Sequence, residues 1–220
     1  ALASIRRAGG GWALTFADGR TAAADRVVLA LPFSVLRDVD RAGAGFPAAK
    51  ERAIAELGMG ANAKLALQFT ARHWQALGNN GDTFSDRGYQ ATWEATRAQA
   101  GAAGILVDYT GGATARAQSG RPAEFLAQVE PVLPGLGARW NGRAAFEDWP
   151  AHPWTRGSYA YWRVGQYTRF AGAEGEAVGT CHFAGEHTSV DAQGYLEGAV
   201  ESGERAAREV LAGLGVVARA

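Results

Sequence analysis

The sequence lacks the features that would assign it to several special classes of protein. Its 220 residues include one cysteine, Cys181, so the chain can form no internal disulfide and offers no cysteine-based metal spacing. We therefore expect a reducing compartment, the cytoplasm. The formal net charge is zero, which gives no reason to expect nucleic acid or an anionic membrane as a partner. No apolar run approaches the ~20 residues of a membrane span, and no signal-peptide pattern occurs.

Motifs for metal binding and for nucleophilic hydrolysis are also absent. The chain has four histidines, but no set of Cys, His and carboxylate residues shows metal-ligand spacing. No G-x-S-x-G or comparable nucleophile motif occurs. We therefore expect no metal site, and we expect His182 and His187, near the end of a predicted strand, to be structural.

The segments that are present predict an α+β fold. Short apolar or alternating segments predict strands at ALASIRR, GWALTF, RVVLALP, NAKLALQFT, YQATWEAT, GILVDYT, RAAFEDW and CHFAG. The Asp-Gly pair in ADGR predicts a hairpin turn. Apolar periodicity with proline or glycine boundaries predicts helices at PFSVLRDV, FPAAKERAIAEL, RPAEFLAQVEPVL and about residues 194–212. Because hairpins and helices are mixed along the chain, we expect a mixed or antiparallel sheet with flanking helices.

The last predicted helix is unusual because small residues recur along it. Glycine costs ~1 kcal/mol relative to alanine inside a helix, so we infer that another part of the molecule approaches this backbone closely. The small residues are Gly198, Ala199, Ser202, Gly203 and Ala206. Helical spacing predicts an apolar face formed by Leu196, Ala199, Val200, Gly203, Ala207, Val210 and Leu211. The same spacing predicts outward ion pairs of Glu201 with Arg205 and of Glu204 with Arg208.

Four segments resemble the flavin-containing amine oxidase family, which includes the monoamine and polyamine oxidases. In chain order they are ADRVVLALPFSVL, AKLALQF followed by HW, WPAHPWTRGSYAYW, and FAGEHT with GYLEGAVESGERAARE. The last of these is close to the C-terminal flavin motif of monoamine oxidases. The resemblance extends over essentially the whole chain, and it implies FAD as the cofactor and a small amine as the substrate.

The dinucleotide-binding motif of that family is missing. The family begins with a strand, turn and helix that carry G-x-G-x-x-G and hold a pyrophosphate on backbone N–H groups. Here AGGGW at 8–12 joins two predicted strands instead. We therefore expect a C-terminal portion of an amine oxidase, inactive alone, whose missing partner is the N-terminal FAD-binding half. Its expected parts are partial FAD-binding strands in 1–31, a substrate-binding domain in 32–150, and a flavin-contact segment with the C-terminal helix in 151–220.

The resemblance implies a set of cofactor contacts. The implied residues are Leu2, Trp149, Gly185, Glu186, Gly194, Tyr195 and Leu196. Backbone N–H groups near Tyr195 and Leu196 would face the N1/C2 edge of the flavin, where the positive end of a helix dipole suits developing negative charge. Gly185 and Glu186 would lie against the ribityl and pyrophosphate part of FAD, and the backbone of Leu2 would contact adenine.

The resemblance also implies three catalytic residues. Lys64, on the polar side of its strand, would hold a water near flavin N5 with a charge that favours reduction of O₂. Tyr159 and Tyr195 would form an aromatic cage that orients the amine before the flavin. From the residues alone, Lys64 is also consistent with a surface lysine at a sheet edge, and the tyrosines with core packing.

Two further residues refine the expected cofactor site. Ser158 stands where monoamine oxidases have a cysteine bonded to the flavin, and serine cannot form that thioether. Cys181 lies elsewhere in the motif, so we expect FAD to be bound non-covalently. Trp149, placed before Tyr159 as in monoamine oxidases, is expected to pack near the flavin.

The implied reaction is hydride transfer from an amine C–H to flavin, reoxidation by O₂ and hydrolysis of the imine. A flavin desaturase or an L-amino-acid oxidase of the same superfamily is an alternative. An amino-acid oxidase needs an arginine to bind the substrate carboxylate. Arg156 and Arg163 lie near the predicted site in sequence, so this alternative stays open. A cofactor-free binding or scaffold domain is the alternative from another class, and the absorbance of bound flavin distinguishes it.

Overall fold

The computed structural model describes residues 1–117 and 120–216. Residues 118–119 of the predicted substrate domain and 217–220 of the predicted C-terminal segment lie outside this part. In chain order the strands are β1 (Leu2–Ala8), β2 (Gly11–Phe16), β3 (Thr21–Ala24), β4 (Val27–Leu29), β5 (Gly58–Met59), β6 (Asn62–Phe69), β7 (Thr83–Phe84), β8 (Ala91–Glu94), β9 (Gly104–Gly111), β10 (Trp140–Asp148), β11 (Ala160–Tyr161) and β12 (Cys181–Phe183). The α-helices are α1 (Phe33–Leu36), α2 (Ala48–Glu56), α3 (His73–Ala76), α4 (Gly112–Ala117), α5 (Pro122–Val129), α6 (Gln166–Phe170) and α7 (Leu196–Gly213), with 3-10 turns at Gly137–Arg139 and Glu186–Thr188.

All of the predicted strands and helices are present, which confirms the α+β class. The elements without a sequence-based prediction are β5, β7, β11, α3, α4 and α6. They are too short to show a hydrophobic period.

Contacts within the chain divide it into two compact units. The first unit contains Ala1–Met59 and the residues from Trp154 onward, and the second contains Gly60–Pro153. These limits differ from the predicted boundaries at 31/32 and 150/151. The predicted parts are defined by function rather than by contact, and they stay a prediction.

In the first unit, three small sheets share one apolar core. β1, β2 and β3 form an antiparallel sheet, β4 pairs with β12 in parallel, and β5 pairs with β11. The predicted hairpin turn between β2 and β3 has Gly19 at φ +83°, a conformation that glycine adopts without strain. Large core side chains are Ile5, Trp12, Phe33, Leu36, Ile54, Leu57 and Phe183.

The second unit is built on a five-stranded antiparallel sheet in the order β10-β6-β9-β8-β7. The predicted alternation in β6 is confirmed, because Leu65, Leu67 and Phe69 are buried while Lys64 is exposed on the opposite face. The buried face packs in one cluster with Trp74 of α3 and Phe125 of α5. An antiparallel sheet commonly packs one apolar face against helices and exposes its other face to solvent.

The face of α7 that is buried differs from the predicted one. Its buried residues are Gly198, Ser202 and Ala206, whereas Leu196 is 90% and Val200 is 56% exposed. The apolar-face prediction was therefore wrong over the first turns of the helix. The physical reason is close approach: a Cβ built on Gly198 would lie 2.2 Å from the carbonyl oxygen of Ala192, so larger side chains do not fit there.

One of the two predicted ion pairs on α7 is also wrong. Arg205 pairs with Glu209 at 2.9 Å rather than with Glu201, whose carboxylate accepts a hydrogen bond from Ser189. The pair of Glu204 with Arg208 is confirmed, with 3.3 Å between nitrogen and oxygen. No helix in the described ranges is both long and apolar enough to cross a membrane.

Candidate active site

In the first unit, the parallel strands β4 and β12 end beside a cavity of about 200 Å³. The carboxyl ends of parallel strands are the edge at which α/β sheets bind ligands. The cavity is lined by Ala30, Pro32, Met59, Thr155, Gly157, Ser158, Gly185, Glu186 and His187. Two of these residues are glycines, which allow a ligand to approach the backbone closely.

Gly185 turns the chain at the end of β12 in a conformation that requires glycine. Its φ is +123°, and a Cβ built there would lie 2.6 Å from Cε1 of His187. Its N–H donates to Oγ of Ser202 at 3.0 Å, and its carbonyl accepts from Oγ1 of Thr188 at 2.8 Å. The backbone of Gly185 is therefore fixed between β12 and α7. Its predicted contact with the cofactor stays a prediction.

Both carboxylate oxygens of Glu186 accept hydrogen bonds from backbone amides. Its Oε1 accepts the N–H of Ala160 at 3.0 Å, and its Oε2 accepts the N–H of Gly194 at 2.7 Å. Burial raises the pKa of this carboxyl above its usual value, although the two N–H donors oppose the rise. Each oxygen of the carboxylate thus has a backbone partner, and the predicted contact of Glu186 with FAD stays a prediction.

Tyr159 and Tyr195, far apart in sequence, lie on adjoining segments. Tyr159 precedes β11, and Tyr195 is the N-cap residue of α7. A Cβ built on Gly194 would lie 3.6 Å from the carbonyl oxygen of Ala160 and 4.0 Å from Cδ2 of Tyr159, so the two segments touch. The tyrosines are 41% and 72% exposed, which argues against a role in core packing.

The N-terminus of α7 presents backbone donors that no side chain caps within the described residues. The N–H of Tyr195 donates to the carbonyl of Ala192 at 3.1 Å. The predicted donors near Tyr195 and Leu196 are therefore those of the first helical turn, beginning at Leu196. Together with the dipole of this 18-residue helix, they favour an acceptor or a negative charge at this point.

Leu2 and Cys181 have structural roles, and Ser158 lines the cavity. The side chain of Leu2 packs against the core of the first unit, and its predicted contact with adenine stays a prediction. Cys181 is fully buried in β12, and burial raises the pKa of its thiol to about 12. The thiol therefore stays protonated, and no thiolate is available there to form a bond with a flavin.

In the second unit, Lys64 lies on a strand with a neighbour on each side. β6 stands between β10 and β9, so Lys64 is not at a sheet edge. Its Nζ lies 5.6 Å from the ring centroid of Trp93 and 5.9 Å from that of Tyr109, and such aromatic faces attract an ammonium group. Trp149 follows β10, with its ring centroid 6.4 Å from that of His152. The roles of Lys64 and Trp149 beside a flavin stay predictions.

Lys50 is a buried lysine that the sequence-based predictions do not include. It is 2% exposed; its Nζ donates to the carbonyl of Glu174 at 2.9 Å and lies 3.6 Å from the ring centroid of Phe183. Burial lowers the pKa of Lys50 to about 7, although the charge of Glu174 opposes this. Its burial could have been inferred from the spacing of the sequence, because Lys50 stands three and four residues before Ala53 and Ile54, the other buried residues of α2.

His187 lies beside the cavity as a buried, neutral imidazole. Its ring meets the edge of Phe33 with 4.4 Å between centroids, and its Nε2 has no hydrogen-bond partner in the part of the chain that the structure describes. Burial, and then the charge of Lys50, lower the pKa of His187 to about 3.

This burial predicts a loss of stability in acid. The unfolded chain protonates His187 near pH ~6.5, whereas the folded protein keeps it neutral down to about pH 3. Since the unfolded state binds the extra proton between these values, about 2 kcal/mol of the free energy of unfolding is lost from pH 8 to pH 5. Denaturant titrations of the protein and of its His187→Leu variant at both pH values measure this. Equal losses in the two proteins would contradict the prediction.

The first unit combines three features that suit the binding of a nucleotide cofactor. They are a parallel strand pair ending at a glycine turn, an uncapped helix N-terminus and an exposed pair of tyrosines. Across residues 1–117 and 120–216, no group of three or more His, Cys, Asp or Glu side chains is placed to hold a metal ion.

The chain belongs to the flavin containing amine oxidoreductase family, whose model matches residues 1–211. The predicted family is therefore confirmed. Among solved structures, cyclohexylamine oxidase from Brevibacterium oxydans IH-35A has a TM-score of 0.85 at 22% identity, covering 98% of this chain and 48% of that one. Wild-type putrescine oxidase bound to putrescine has a TM-score of 0.81 at 22% identity, covering 96% of this chain and 48% of that one. At this identity the likeness shows the fold alone.

Curated relatives are more similar over a shorter region. Amine oxidase [flavin-containing] A of Equus caballus is 44% identical over 73 residues, which are 33% of this chain and 14% of the relative. (S)-6-hydroxynicotine oxidase of Paenarthrobacter nicotinovorans is 39% identical over 66 residues, which are 30% of this chain and 16% of the relative. The chain thus spans about half the length of the solved structures it matches, and the matched region spans a smaller part of the curated relatives.

Proposed function

We propose that this chain is part of an FAD-dependent amine oxidase that acts on a small amine. The observation that carries the proposal is the pair of exposed tyrosines, Tyr159 and Tyr195, on segments that adjoin the cavity residues Ser158 and Glu186. Membership of the family supports flavin chemistry. The names of cyclohexylamine oxidase and putrescine oxidase support an amine as the substrate.

The residues of this chain fit FAD only in part. A cavity of about 200 Å³ is smaller than the roughly 300–1,000 Å³ of pockets that enclose drug-sized ligands, and a dinucleotide is larger still. Gly185 leaves room for close approach, and the N-terminus of α7 offers backbone donors. We infer that the rest of the site comes from an N-terminal half that binds the pyrophosphate, and that this chain alone is inactive.

The parallel strand pair supports the inferred partner. Parallel strands normally occur in larger sheets that are covered on both faces, whereas β4 and β12 form a sheet of two strands. Val28 of β4 is 46% exposed, and Leu196 and Val200 of α7 expose apolar surface as well. An N-terminal half that packed against this sheet and against α7 would cover these side chains.

Each proposed residue has a distinct role. When bound, FAD accepts a hydride from the amine carbon and returns the electrons to O₂. With FAD bound, the first-turn N–H groups of α7 would stabilise negative charge on the flavin. Tyr159 and Tyr195 would orient the amine between their rings. Lys64 would hold a water for the reaction with O₂, and Ser158 would leave the cofactor non-covalently bound.

Oxidation of an L-amino acid remains the enzymatic alternative. That reaction needs an arginine to bind the substrate carboxylate. Arg156 forms an ion pair with Asp38, whereas the exposed Arg163 stays a candidate. A flavin desaturase shares the fold and differs in the substrate that reduces the flavin. A cofactor-free scaffold domain, the alternative from another class, would show no flavin absorbance.

Anaerobic reduction of the complete protein tests the function. We expect the protein to purify with a flavin spectrum that bleaches on addition of a small primary or secondary amine. We also expect Lys64→Met to slow reoxidation by O₂ more than reduction by the amine, because it removes the charge near N5 and leaves the tyrosines in place. Stopped-flow absorbance measures both half-reactions.

Lys64→Arg is the matched control, because it keeps the positive charge at the same strand position and should retain most of the reoxidation rate. Unchanged half-reactions in Lys64→Met would contradict the role of Lys64. A protein that binds no flavin, or one that amines fail to reduce, would contradict the proposed function itself.

A further inference from the structure

Glu186 connects the two segments that carry the predicted aromatic cage. One carboxylate oxygen accepts the N–H of Ala160 at 3.0 Å, and the other accepts the N–H of Gly194 at 2.7 Å. The N–H of Ala160 shares a peptide plane with the carbonyl of Tyr159, and Gly194 directly precedes Tyr195. A single side chain thus holds the peptide plane that contains the carbonyl of Tyr159 and the peptide plane that ends at Gly194, one residue before Tyr195.

Each tyrosine stands where an irregular stretch of the chain meets a strand or a helix. Tyr159 lies outside any helix or strand, ahead of the two-residue strand β11. Gly194 is at φ +87°, a turn conformation that no helical or sheet hydrogen bonding imposes. The partly buried N–H groups of Ala160, at the start of β11, and of Gly194, in the turn before α7, require acceptors. Glu186 supplies an acceptor to each of them.

We propose that Glu186 is the positioning residue that holds Tyr159 and Tyr195 at a fixed separation and so sets the gap through which the amine reaches the cofactor. The inference rests on the proposed function, and it assigns the carboxylate to the substrate site rather than to FAD. Two acceptor oxygens are needed, since each bond uses a different oxygen. Glutamine keeps the shape but offers one acceptor oxygen, and alanine offers none.

Amide hydrogen exchange and steady-state kinetics on the complete, FAD-loaded protein test this role. In Glu186→Ala we expect the amides of Ala160 and Gly194 to exchange ~10-fold faster or more, since both lose a charged acceptor. We expect KM for the amine to rise ~10-fold, with kcat and flavin content changed by less than about twofold, because the tyrosines remain but are no longer held. Glu186→Gln should free one of the two amides and raise KM by less.

Glu204→Gln is the matched control, since it neutralises an exposed carboxylate on α7, and it should leave exchange and KM unchanged. Unaltered exchange in Glu186→Ala overturns the proposal, as does faster exchange with an unaltered KM. Loss of flavin together with the rise in KM would assign Glu186 to the cofactor instead. If the unaltered protein oxidises no amine, the proposed function fails, and the exchange rates alone still decide whether Glu186 holds the two segments.

Discussion

Replacing Gly198 with alanine is expected to destabilise the protein by about 3 kcal/mol or more. A Cβ at this position would lie 2.2 Å from the carbonyl oxygen of Ala192 and 2.9 Å from Cβ of Ser189. Since the nearer atom belongs to the backbone, α7 can relieve the overlap only by moving away from this turn. That movement would also stretch the hydrogen bond from Gly185 to Ser202. Denaturant unfolding of the variant measures the loss.

Gly203→Ala is the matched control on the same helix. Apart from its chain neighbours and the nearby backbone of α7 itself, a Cβ built on Gly203 meets no described atom within 4 Å, so only the helix propensity changes. Alanine should then stabilise the helix by ~1 kcal/mol, opposite in sign to Gly198→Ala. Losses of similar size in both variants would show that close packing at Gly198 is not the reason for its glycine.

Arg205→Met is expected to lower the free energy of unfolding by about 3 kcal/mol. The guanidinium donates to the carbonyls of Gly175 and Phe183 at 2.8 and 2.9 Å, to Oγ1 of Thr188 at 3.1 Å and to Glu209 at 2.9 Å. It therefore fastens α7 to β12 and to the loops on either side. Methionine keeps most of the apolar stem but leaves these acceptors without their donor. Denaturant or thermal unfolding measures the change.

Arg208→Met, one turn further along α7, is the control for the loss of a positive charge. Arg208 pairs with Glu204 at 3.3 Å, and the two side chains are 62% and 64% exposed. Such surface pairs contribute about 0–1 kcal/mol, so this variant should unfold nearly as the unaltered protein does. Equal effects at the two positions would mean that Arg205 contributes only through its charge.

Sequence patterns predicted the elements of this chain better than the contacts between them. The alternation in β6 correctly placed Lys64 opposite the buried Leu65 and Leu67, because a two-residue period depends only on which face is covered. The period of α7 led to the wrong face, because apolarity was taken as the sign of burial. In this helix the buried residues are the small ones. Gly198 and Ser202 face the neighbouring chain at a distance that excludes larger side chains.

Sequence motifs predicted which residues belong to the candidate site, but not the hydrogen bonds that connect them. The tyrosines and Gly185 stand in segments that the family shares, and the structure brings Tyr159 next to the segment of Tyr195. The bonds of Glu186 to Ala160 and Gly194 were not predictable, because no local pattern records a hydrogen bond between distant parts of the chain. Lys50 went unnoticed for a related reason: its partner is a backbone carbonyl.

Labelling of Cys181 by a thiol reagent can report local opening of the first unit. Its thiol is fully buried in β12 and stays protonated, whereas attack on a disulfide reagent requires an accessible thiolate. Because the chain has no second cysteine, each labelled molecule has undergone an opening in which β12 left its neighbours. The labelling rate of the native protein therefore measures how often β12 separates from its neighbours, without any introduced probe.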